Sequence, residues 1–333
     1  MADEFLLNPN LPIIRPNWAG NPVQNGRFLN QFKQGNQSML LALRWKLTRN
    51  TQRQEKKEDA WLPTVEDPRP FLQGKGEGMV WLGHATFFIR LGGITFLTDP
   101  LFYGVSLLKR KVPFPVEPSE LPPIDYVLLS HGHFDHCDKA SLKMLRKTHT
   151  FTVLTSLKMK DLIQGWLPGI SIQEAGWYQE FSLPQNQPKV FYLPSFHWHK
   201  RGMQDNNQIL WGSFMVQAPN HTLYFGADSG YDHHYKEIQK LFPQIDTCLL
   251  GVGAYNPAFL MQQSHTNPAE AVQAFKDLKG RTLVPMHYGT FDLSDEPISE
   301  PVRWLEKLQA SGEIPGKLKI LNIGQTLLFS NKV

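Results

Sequence analysis

Short apolar runs alternate with polar, Gly-rich and Pro-rich segments along most of the chain, which predicts strands broken by loops and a few helices. Two of these runs meet at Gly92 and Gly93, so we predict a β-hairpin with a Gly-Gly turn. Asp138 stands where an N-cap would begin a helix that continues to Arg146, and a second helical pattern covers 268–278. The predicted strands cover 79–82, 86–91, 94–98, 124–130, 151–154, 189–193, 212–216, 222–225, 247–250 and 282–286.

Blocks of strands that are each followed by a helical segment are typical of an α/β fold in which two sheets pack face to face with helices outside. Residues 1–76 have a different composition, rich in Asn, Pro, Gln and basic side chains. We therefore predict that 1–76 form an N-terminal extension that wraps a core domain over 77–333. Within the extension, 38–45 has a helical pattern with Ser38 as its N-cap.

The densest polar cluster follows the predicted strand that ends at Ser130. Residues 131–136 read H-G-H-F-D-H, so three imidazoles and one carboxylate lie within six residues. Neutral imidazole nitrogens and carboxylate oxygens are ligands that Zn²⁺ accepts. A sharp loop after the strand would direct His131 and His133 to one metal, and Asp135 and His136 to a second. The spacing therefore predicts a two-metal hydrolase.

The alternative is that these histidines are solvated polar groups in a turn, since twelve His are scattered along the chain. That alternative suits a single His better than four polar side chains directly after a buried strand. Four convergent polar groups need a shared partner, and a metal is the simplest one. A site that binds metal without performing chemistry stays open.

Three further segments place candidate ligands directly after predicted strands, where the loops of layered α/β proteins meet at one cleft. His197 and His199 follow one strand, and we choose His197 as the ligand; Asp228 lies among small residues after another strand, and His287 follows a third. Two four-ligand sites result, His131, His133, His197 and Asp228 in one, and Asp135, His136, His287 and Asp228 in the other. Two ions about 3.5 to 4 Å apart could share a hydroxide and stabilise both the attacking and the leaving oxygen of a displacement.

Composition adds limits on class and compartment. The 333 residues are 41% hydrophobic and 19% charged, which is ordinary for a soluble globular protein. The acidic start, the apolar stretch that ends at Asn8, and the lack of a run of about 18 apolar residues predict a cytoplasmic protein. Cys137 and Cys248 are too few for a disulfide framework. The net charge of +4 does not call for nucleic acid, and the basic segment 44–57 is predicted to be a solvated helix or linker.

The motifs resemble those of the metallo-β-lactamase fold superfamily, whose signature is the H-x-H-x-D-H loop. Within it the chain is most similar to phospholipases D that hydrolyse N-acyl-phosphatidylethanolamine and to their bacterial relatives, over about residues 25–330. Phe196 departs from the family's Gln, and Gly226 and Ala227 are in reverse order, but neither change removes a ligand. The resembling segments are 26–30 (G-R-F-L-N), 81–86 (W-L-G-H-A-T), 97–100 (L-T-D-P), 121–125, 131–138, 197–198, 210–213, 228–231, 253–255, His265 and 287–291.

The resemblance implies a four-layer αββα sandwich, a dinuclear zinc centre with the ligands assigned above, and cleavage of a phosphodiester by a metal-bound hydroxide. Mn²⁺ and Fe²⁺ are alternative metals. Asp135 and Asp228 would be catalytic carboxylates, and His265 would orient the phosphate or donate a proton. Asp99 would hold a ligand His in its tautomer. The residues expected around the pocket or behind the ligands are His84, Asp99, His199 and Tyr255.

We therefore predict phospholipase D-type hydrolysis of N-acyl-phosphatidylethanolamine or a similar lipid phosphodiester. The same centre would serve a lactonase or a small-ester hydrolase, and a non-catalytic, metal-containing lipid-binding protein is a further alternative. A nuclease ranks lower because the chain has no clear nucleic-acid-binding module. An oxygen-reducing di-iron protein is disfavoured because that class of the superfamily has a carboxylate at the position of His133.

A lipid substrate also requires an apolar approach to the metals. The segment 101–108 is followed by Lys109, Arg110 and Lys111, which would place apolar residues beside cations, as in a membrane-surface loop. The stretch 257–261 is a second apolar segment near the predicted site. Both segments would serve equally as buried loops. We expect peripheral membrane contact, or a homodimer in which exposed apolar loops form the interface.

Overall fold

The computed structural model of the chain describes residues 2–31, 39–106 and 108–329. The N-cap predicted at Ser38 lies outside these residues. None of the described helices is long and apolar enough to cross a membrane. The helices are α1 (Met39–Leu47), α2 (Arg53–Glu58), α3 (Arg69–Leu72), α4 (Lys139–Thr148), α5 (Lys160–Gln164), α6 (His234–Leu241), α7 (Ala258–Met261), α8 (Pro268–Leu278) and α9 (Glu300–Ala310).

Two seven-stranded sheets and one small sheet carry the strands. The strands are β1 (Glu4–Leu6), β2 (Asn21–Gln24), β3 (Arg27–Phe28), β4 (Gly78–Gly83), β5 (Thr86–Leu91), β6 (Ile94–Thr98), β7 (Tyr126–Leu129), β8 (Thr152–Ser156), β9 (Ser171–Ala175), β10 (Gln179–Glu180), β11 (Lys189–Leu193), β12 (Ser213–Gln217), β13 (Thr222–Phe225), β14 (Ile245–Gly251), β15 (Gly280–Met286), β16 (Lys317–Leu318) and β17 (Thr326–Leu328). The first large sheet has the order β17-β4-β5-β6-β7-β8-β9, and the second has the order β10 to β16.

The two large sheets repeat one pairing pattern. In each, three antiparallel pairs are followed by three parallel pairs, so that β6 to β9 and β13 to β16 are the parallel halves. The carboxyl ends of parallel strands share one edge of a sheet. Each sheet therefore offers an edge at which several loops can meet.

The predicted hairpin is confirmed, because β5 and β6 pair antiparallel with Leu91 opposite Ile94. Gly92 and Gly93 both have positive φ, at 59° and 74°, which is the conformation that a two-residue turn of this kind requires. The predicted N-cap at Asp138 is also confirmed, since its side chain accepts a hydrogen bond from the Ser141 backbone N–H.

Successive side chains of the first sheet belong alternately to two hydrophobic cores, one on each face. Met79 and Trp81 of β4 belong to the core between the two sheets, whereas Val80 and Leu82 belong to the core beneath α3, α4 and α5. Successive side chains of a strand point to opposite faces, so an all-apolar strand is buried on both. On the second sheet, α8 lies against β14 and β15, and α6 and α9 lie against α8. The expected α/β fold with two stacked sheets and outer helices is confirmed.

The N-terminal extension contributes directly to this core. Leu11, Val23 and Phe28 are buried in the cluster between the sheets. Ile13 forms an antiparallel bridge to Gln179 at the edge strand of the second sheet. The extension thus covers a sheet edge that would otherwise expose unpaired backbone groups.

Candidate metal centre

The predicted ligands and the residues expected beside them follow strands of both large sheets, at one end of the sandwich. His84 and Asp99 follow β4 and β6, and the H-G-H-F-D-H loop follows β7 in the first sheet. His197, Asp228 and His287 follow β11, β13 and β15 in the second sheet. The structure brings these loops from the two sheets together in one buried group of imidazoles and carboxylates.

One cluster contains His131, His133, His197 and Asp228, whose candidate ligand atoms all lie within 4.8 Å of one another. His133 Nδ1 lies 2.9 Å from His131 Nε2 and 3.0 Å from His197 Nε2. Asp228 Oδ2 lies 3.9 Å from His131 Nε2 and 3.8 Å from His197 Nε2. Three nitrogens and one oxygen that face a common point form a donor set that suits Zn²⁺.

A second cluster contains His84, Asp135, His136 and His287. Asp135 Oδ2 lies 3.2 Å from His84 Nε2, 3.6 Å from His136 Nε2 and 3.5 Å from His287 Nε2. The sequence analysis did not count His84 among the ligands and expected it only around the pocket. The structure places it in the second cluster. Its backbone is left-handed, with φ of 54°, in the turn between β4 and β5.

Asp228 lies between the two clusters. Its Oδ2 is 3.1 Å from His136 Nε2, and its Oδ1 is 3.2 Å from His287 Nε2. Both of these imidazoles belong to the second cluster, and His131 and His197 of the first lie 3.9 and 3.8 Å from the same carboxylate. Asp228 therefore faces imidazoles of both clusters, as the shared ligand of two ions would.

Buried polar atoms without a partner provide a test of whether this group fits a metal. Among the described residues, none hydrogen-bonds to His133 Nε2, His136 Nε2, Asp228 Oδ1 or either ring nitrogen of His287. Buried polar atoms normally have partners, so most of this set requires something that the protein itself does not supply. Nitrogen and carboxylate donors fit a divalent ion such as zinc, iron or manganese.

Asp99 orients ligand imidazoles through their Nδ1 atoms, on the side away from the centre. Its buried carboxylate accepts hydrogen bonds from His136 Nδ1 (2.7 Å), Ser130 Oγ (2.6 Å) and the Ser130 backbone N–H (2.8 Å). Ser130 Oγ also lies 2.9 Å from His131 Nδ1. These bonds leave Nε2 of both imidazoles facing the centre as lone-pair donors. His197 is fixed in the same way by the Ser264 carbonyl, 3.0 Å from its Nδ1.

Replacing Asp99 with Asn is expected to weaken metal binding by about 10- to 100-fold. The amide is isosteric, but it cannot accept at both former carboxylate oxygens, so it loses the bond that fixes either His136 or Ser130. The measurement is zinc affinity by competition with a chromophoric chelator. Asp125→Asn, at an exposed carboxylate that precedes β7, is the matched control. An unchanged zinc affinity in Asp99→Asn would contradict the role of Asp99.

Burial and neighbouring charges set the protonation of the centre. Burial lowers the pKa of His84 and of His133 to about 3, so both are neutral, the form that binds metal. Burial also opposes charge on His287, but the carboxylates of Asp228 and Asp135 raise its pKa to about 9. In the metal-free protein, a proton on His287 balances these carboxylates, and metal binding must displace it.

An open cavity of about 680 Å³ lies over the two clusters. Donor-cluster residues form part of its lining, and His265 lies beside them with 16% of its side chain exposed and its Nδ1 3.7 Å from Asp228. Two cations, Lys200 and Arg201, also line it. The apolar and aromatic lining residues are Trp45, Val105, Phe134, Trp198, Leu260, Met261 and Leu293.

Tyr255 and His199 are not placed in this cavity. The Tyr255 hydroxyl donates to Glu300 (2.6 Å), and the ring lines a separate small cavity with Trp304. Tyr255 was expected around the pocket or behind the ligands, and it does not line the cavity over the two clusters. His199 is fully buried, and a Cβ at Gly132 would collide with its ring.

The segment 101–111 is buried in part: Tyr103 and Leu108 are exposed, at 46% and 41%, beside the exposed Lys109 and Lys111. Leu101 and Phe102 are buried, and the Arg110 guanidinium donates to the carbonyls of Leu82, Leu101 and Val112. Leu107 lies outside the described residues. Three carbonyl acceptors hold Arg110 inside the protein, so it is not one of the exposed cations that the sequence suggested.

Arg201 is a residue of this region that sequence reasoning missed. Its guanidinium donates hydrogen bonds to the carbonyls of Gly132 and Cys137, each at 2.9 Å. It therefore contacts the H-G-H-F-D-H loop near both of its ends. The group lies 4.1 Å from the ring centre of Phe134 and 4.8 Å from that of Trp166. The only signal in the sequence was its position four residues after His197.

The chain is similar to known proteins in sequence and in fold. A family model described as a beta-lactamase superfamily domain matches residues 95–288. N-acyl-phosphatidylethanolamine-hydrolyzing phospholipase D 1 of Caenorhabditis elegans is 30% identical over 316 residues, which cover 89% of this chain and 85% of the worm protein.

Solved structures with the same fold are more distant in sequence. Igni18, a metallo hydrolase of Ignicoccus hospitalis, superposes with a TM-score of 0.60 at 20% identity over 77% of this chain and 99% of its own. CmlA, a diiron β-hydroxylase of Streptomyces venezuelae, superposes with a TM-score of 0.58 at 20% identity over 77% of this chain and 55% of its own. At this identity the likeness concerns the fold alone.

Proposed function

The chain belongs to the metallo-β-lactamase fold superfamily and is a metal-dependent hydrolase, and on that basis we propose that it is a dinuclear zinc phosphodiesterase that hydrolyses N-acyl-phosphatidylethanolamine or a similar lipid phosphodiester. The observation that carries this proposal is the Asp228 carboxylate, which faces both donor clusters beneath a largely apolar cavity.

The residues of the two clusters would have separate roles as ligands in such a reaction. His131, His133 and His197 would hold one ion, Asp135, His136 and His287 would hold the other, and Asp228 would bind both. When bound, the two ions would supply an activated water for attack on phosphorus and positive charge against the phosphate oxygens.

His84 and His265 would act beside the ligands. His84 Nε2, at hydrogen-bond distance from Asp135 Oδ2, would orient that carboxylate. His265 faces the cavity, and its ring would hydrogen-bond the phosphate or donate a proton to the leaving oxygen.

The residues that line the cavity favour an amphiphilic substrate. Its aromatic and aliphatic side chains suit acyl chains, while Lys200 supplies a cation close to where a phosphate would lie. Each methylene that the wall removes from water contributes about 0.8 kcal/mol, so four would favour a lipid over a small diester by roughly 10²-fold.

Exposed apolar side chains near the cavity support peripheral contact with a membrane. Phe134 is 45% exposed and lines the cavity, and Met203, two residues after Arg201, is 95% exposed. Apolar side chains beside cations suit the surface of a lipid bilayer. The free, buried Cys137 and Cys248 fit a reducing compartment, so we place the protein in the cytoplasm in peripheral contact with membranes.

The test compares three substrates with the zinc-loaded protein. N-acyl-phosphatidylethanolamine in detergent should be cleaved to phosphatidic acid and an N-acylethanolamine. Its kcat/KM should exceed that of bis(p-nitrophenyl) phosphate by roughly 10²-fold, for the reason given above. A lactone should be turned over more slowly than either.

The other outcomes discriminate between functions. Hydrolysis of only the small diester or the lactone would retain the metal centre and exclude the lipid substrate. Two bound metals with no turnover of any ester would instead indicate a metal-containing binding protein.

A further inference from the structure

The N-terminal hairpin contacts the loop that carries a candidate ligand. Strands β2 and β3 are joined by Asn25 and Gly26, both with positive φ, as a tight two-residue turn requires. The residues that follow this turn lie against the segment 197–207, which connects β11 to β12. This contact joins parts of the chain about 170 residues apart in sequence.

Four hydrogen bonds connect the hairpin and its continuation to this segment. The Asn30 side-chain amide donates to the His197 carbonyl at 2.9 Å. The Phe28 backbone N–H donates to the Asn207 carbonyl at 2.7 Å. The Arg27 guanidinium donates to the carbonyls of Gln204 (3.0 Å) and Asn206.

The segment needs this support because it has little structure of its own. The described residues 194–212 contain no helix and no strand, apart from one bridge between Phe196 and Gly230. His199 and Asn207 close the segment by two reciprocal hydrogen bonds, of 2.8 and 3.0 Å. A loop of this length is otherwise free to take many conformations.

His197 is held at two points that are independent of each other. Its ring Nδ1 faces the Ser264 carbonyl at 3.0 Å, and its own backbone carbonyl receives the Asn30 amide. The first contact sets the rotation of the ring, and the second fixes the backbone from which the ring extends. The Nε2 of the side chain held in this way lies 3.0 Å from His133 Nδ1.

We propose that Asn30 is a positioning residue of the metal centre, which holds His197 in place through its backbone carbonyl. This role rests on the proposed metal centre but not on the lipid substrate. It makes the N-terminal hairpin a working part of the site, and it gives a function to the G-R-F-L-N segment at 26–30.

The experiment measures zinc affinity of the full-length, zinc-loaded protein by competition with a chromophoric chelator. Asn30→Ala removes the donor, and we expect one of the two zinc equivalents to bind about 10-fold more weakly. Asn30→Asp keeps the shape but places a carboxylate oxygen against the His197 carbonyl, so the loss should be larger than in Asn30→Ala. Asn10→Ala, at an exposed Asn of the same extension, should leave both affinities unchanged.

The order of the variants separates positioning from packing. If Asn30 merely fills space, the isosteric Asp variant would be the milder one, which would overturn the proposal. Equal affinities in all four proteins would also overturn it. A parent protein that binds no zinc would overturn the metal centre itself, together with this role for Asn30, whereas failure to cleave a lipid would leave both intact. Thermal unfolding of the metal-stripped variants identifies any general loss of stability.

Discussion

Asp228→Asn is expected to lower kcat by about 10³-fold or more, whichever substrate the enzyme proves to use. The Asp228 carboxylate is buried and faces imidazoles of both clusters, with His197 Nε2 of the first at 3.8 Å and His136 Nε2 of the second at 3.1 Å. A bound metal ion contributes several kcal/mol of transition-state stabilisation, and the loss of about 4 kcal/mol corresponds to roughly 10³-fold in rate. An amide would also direct an N–H toward imidazole nitrogens that need an acceptor or a metal.

The measurement combines hydrolysis rate with metal content per chain. We expect Asp228→Asn to lose both activity and at least one of its metals. Asp161→Asn, which changes an exposed carboxylate on α5, should retain both. Full activity in the Asp228 variant would rule out a shared carboxylate ligand.

Metal removal is expected to abolish hydrolysis and to lower the free energy of unfolding by about 4 kcal/mol. A ligand that binds only the native state at a concentration 1,000 times its Kd contributes this amount. The physical source lies in the buried donors: Nε2 of His136 and both ring nitrogens of His287 lack partners among the described residues. In the metal-free protein the two Nε2 atoms face the carboxylates of Asp135 and Asp228 at 3.1 to 3.6 Å, and bound metal ions would add coordination bonds that exist only in the folded state.

The measurement is thermal unfolding and hydrolysis before and after treatment with a chelator, followed by titration with Zn²⁺, Mn²⁺ or Fe²⁺. The metal that restores both properties at the lowest concentration is the one the site prefers. Activity that persists after complete removal of metal would refute the two-metal mechanism. A control with the magnesium-saturated chelator excludes effects of the chelator on the protein surface.

The candidate site was predictable where ligands follow recognisable strands. Residues 131–136 are contiguous, and His197, Asp228 and His287 each follow a strand whose apolar pattern is clear. The strand-end rule then brings them to one edge without any further information. The structure does assemble these residues into two adjoining clusters.

Two placements depend on contacts between distant segments that the sequence does not show. Tyr255 follows β14, and the Glu296 carboxylate accepts hydrogen bonds from the backbone N–H groups of Ala254, Tyr255 and Asn256. His84 enters the second cluster through a left-handed turn that no local pattern announces.

The helices that could be predicted are those whose ends are marked by a capping residue in the local sequence. The predicted helices α4 and α8 have side-chain caps at Asp138 and Asn267, and these caps are visible in the sequence. The helices α6 and α9 were not predicted, and neither has a capping side chain. The strands β10 and β16 are two residues long, which is too short to produce any period.

Four residues at or beside the site have left-handed backbone, with φ between 30° and 62°: His84, Asp99, Ala227 and His287. Such conformations cost an L-residue roughly 1–2 kcal/mol each, and they persist only where surrounding structure imposes them. The loops that carry these four residues would relax out of this arrangement if they alone were grafted onto another scaffold. The geometry of the centre therefore depends on both sheets, and a designed protein that is to carry this centre must include the whole sandwich.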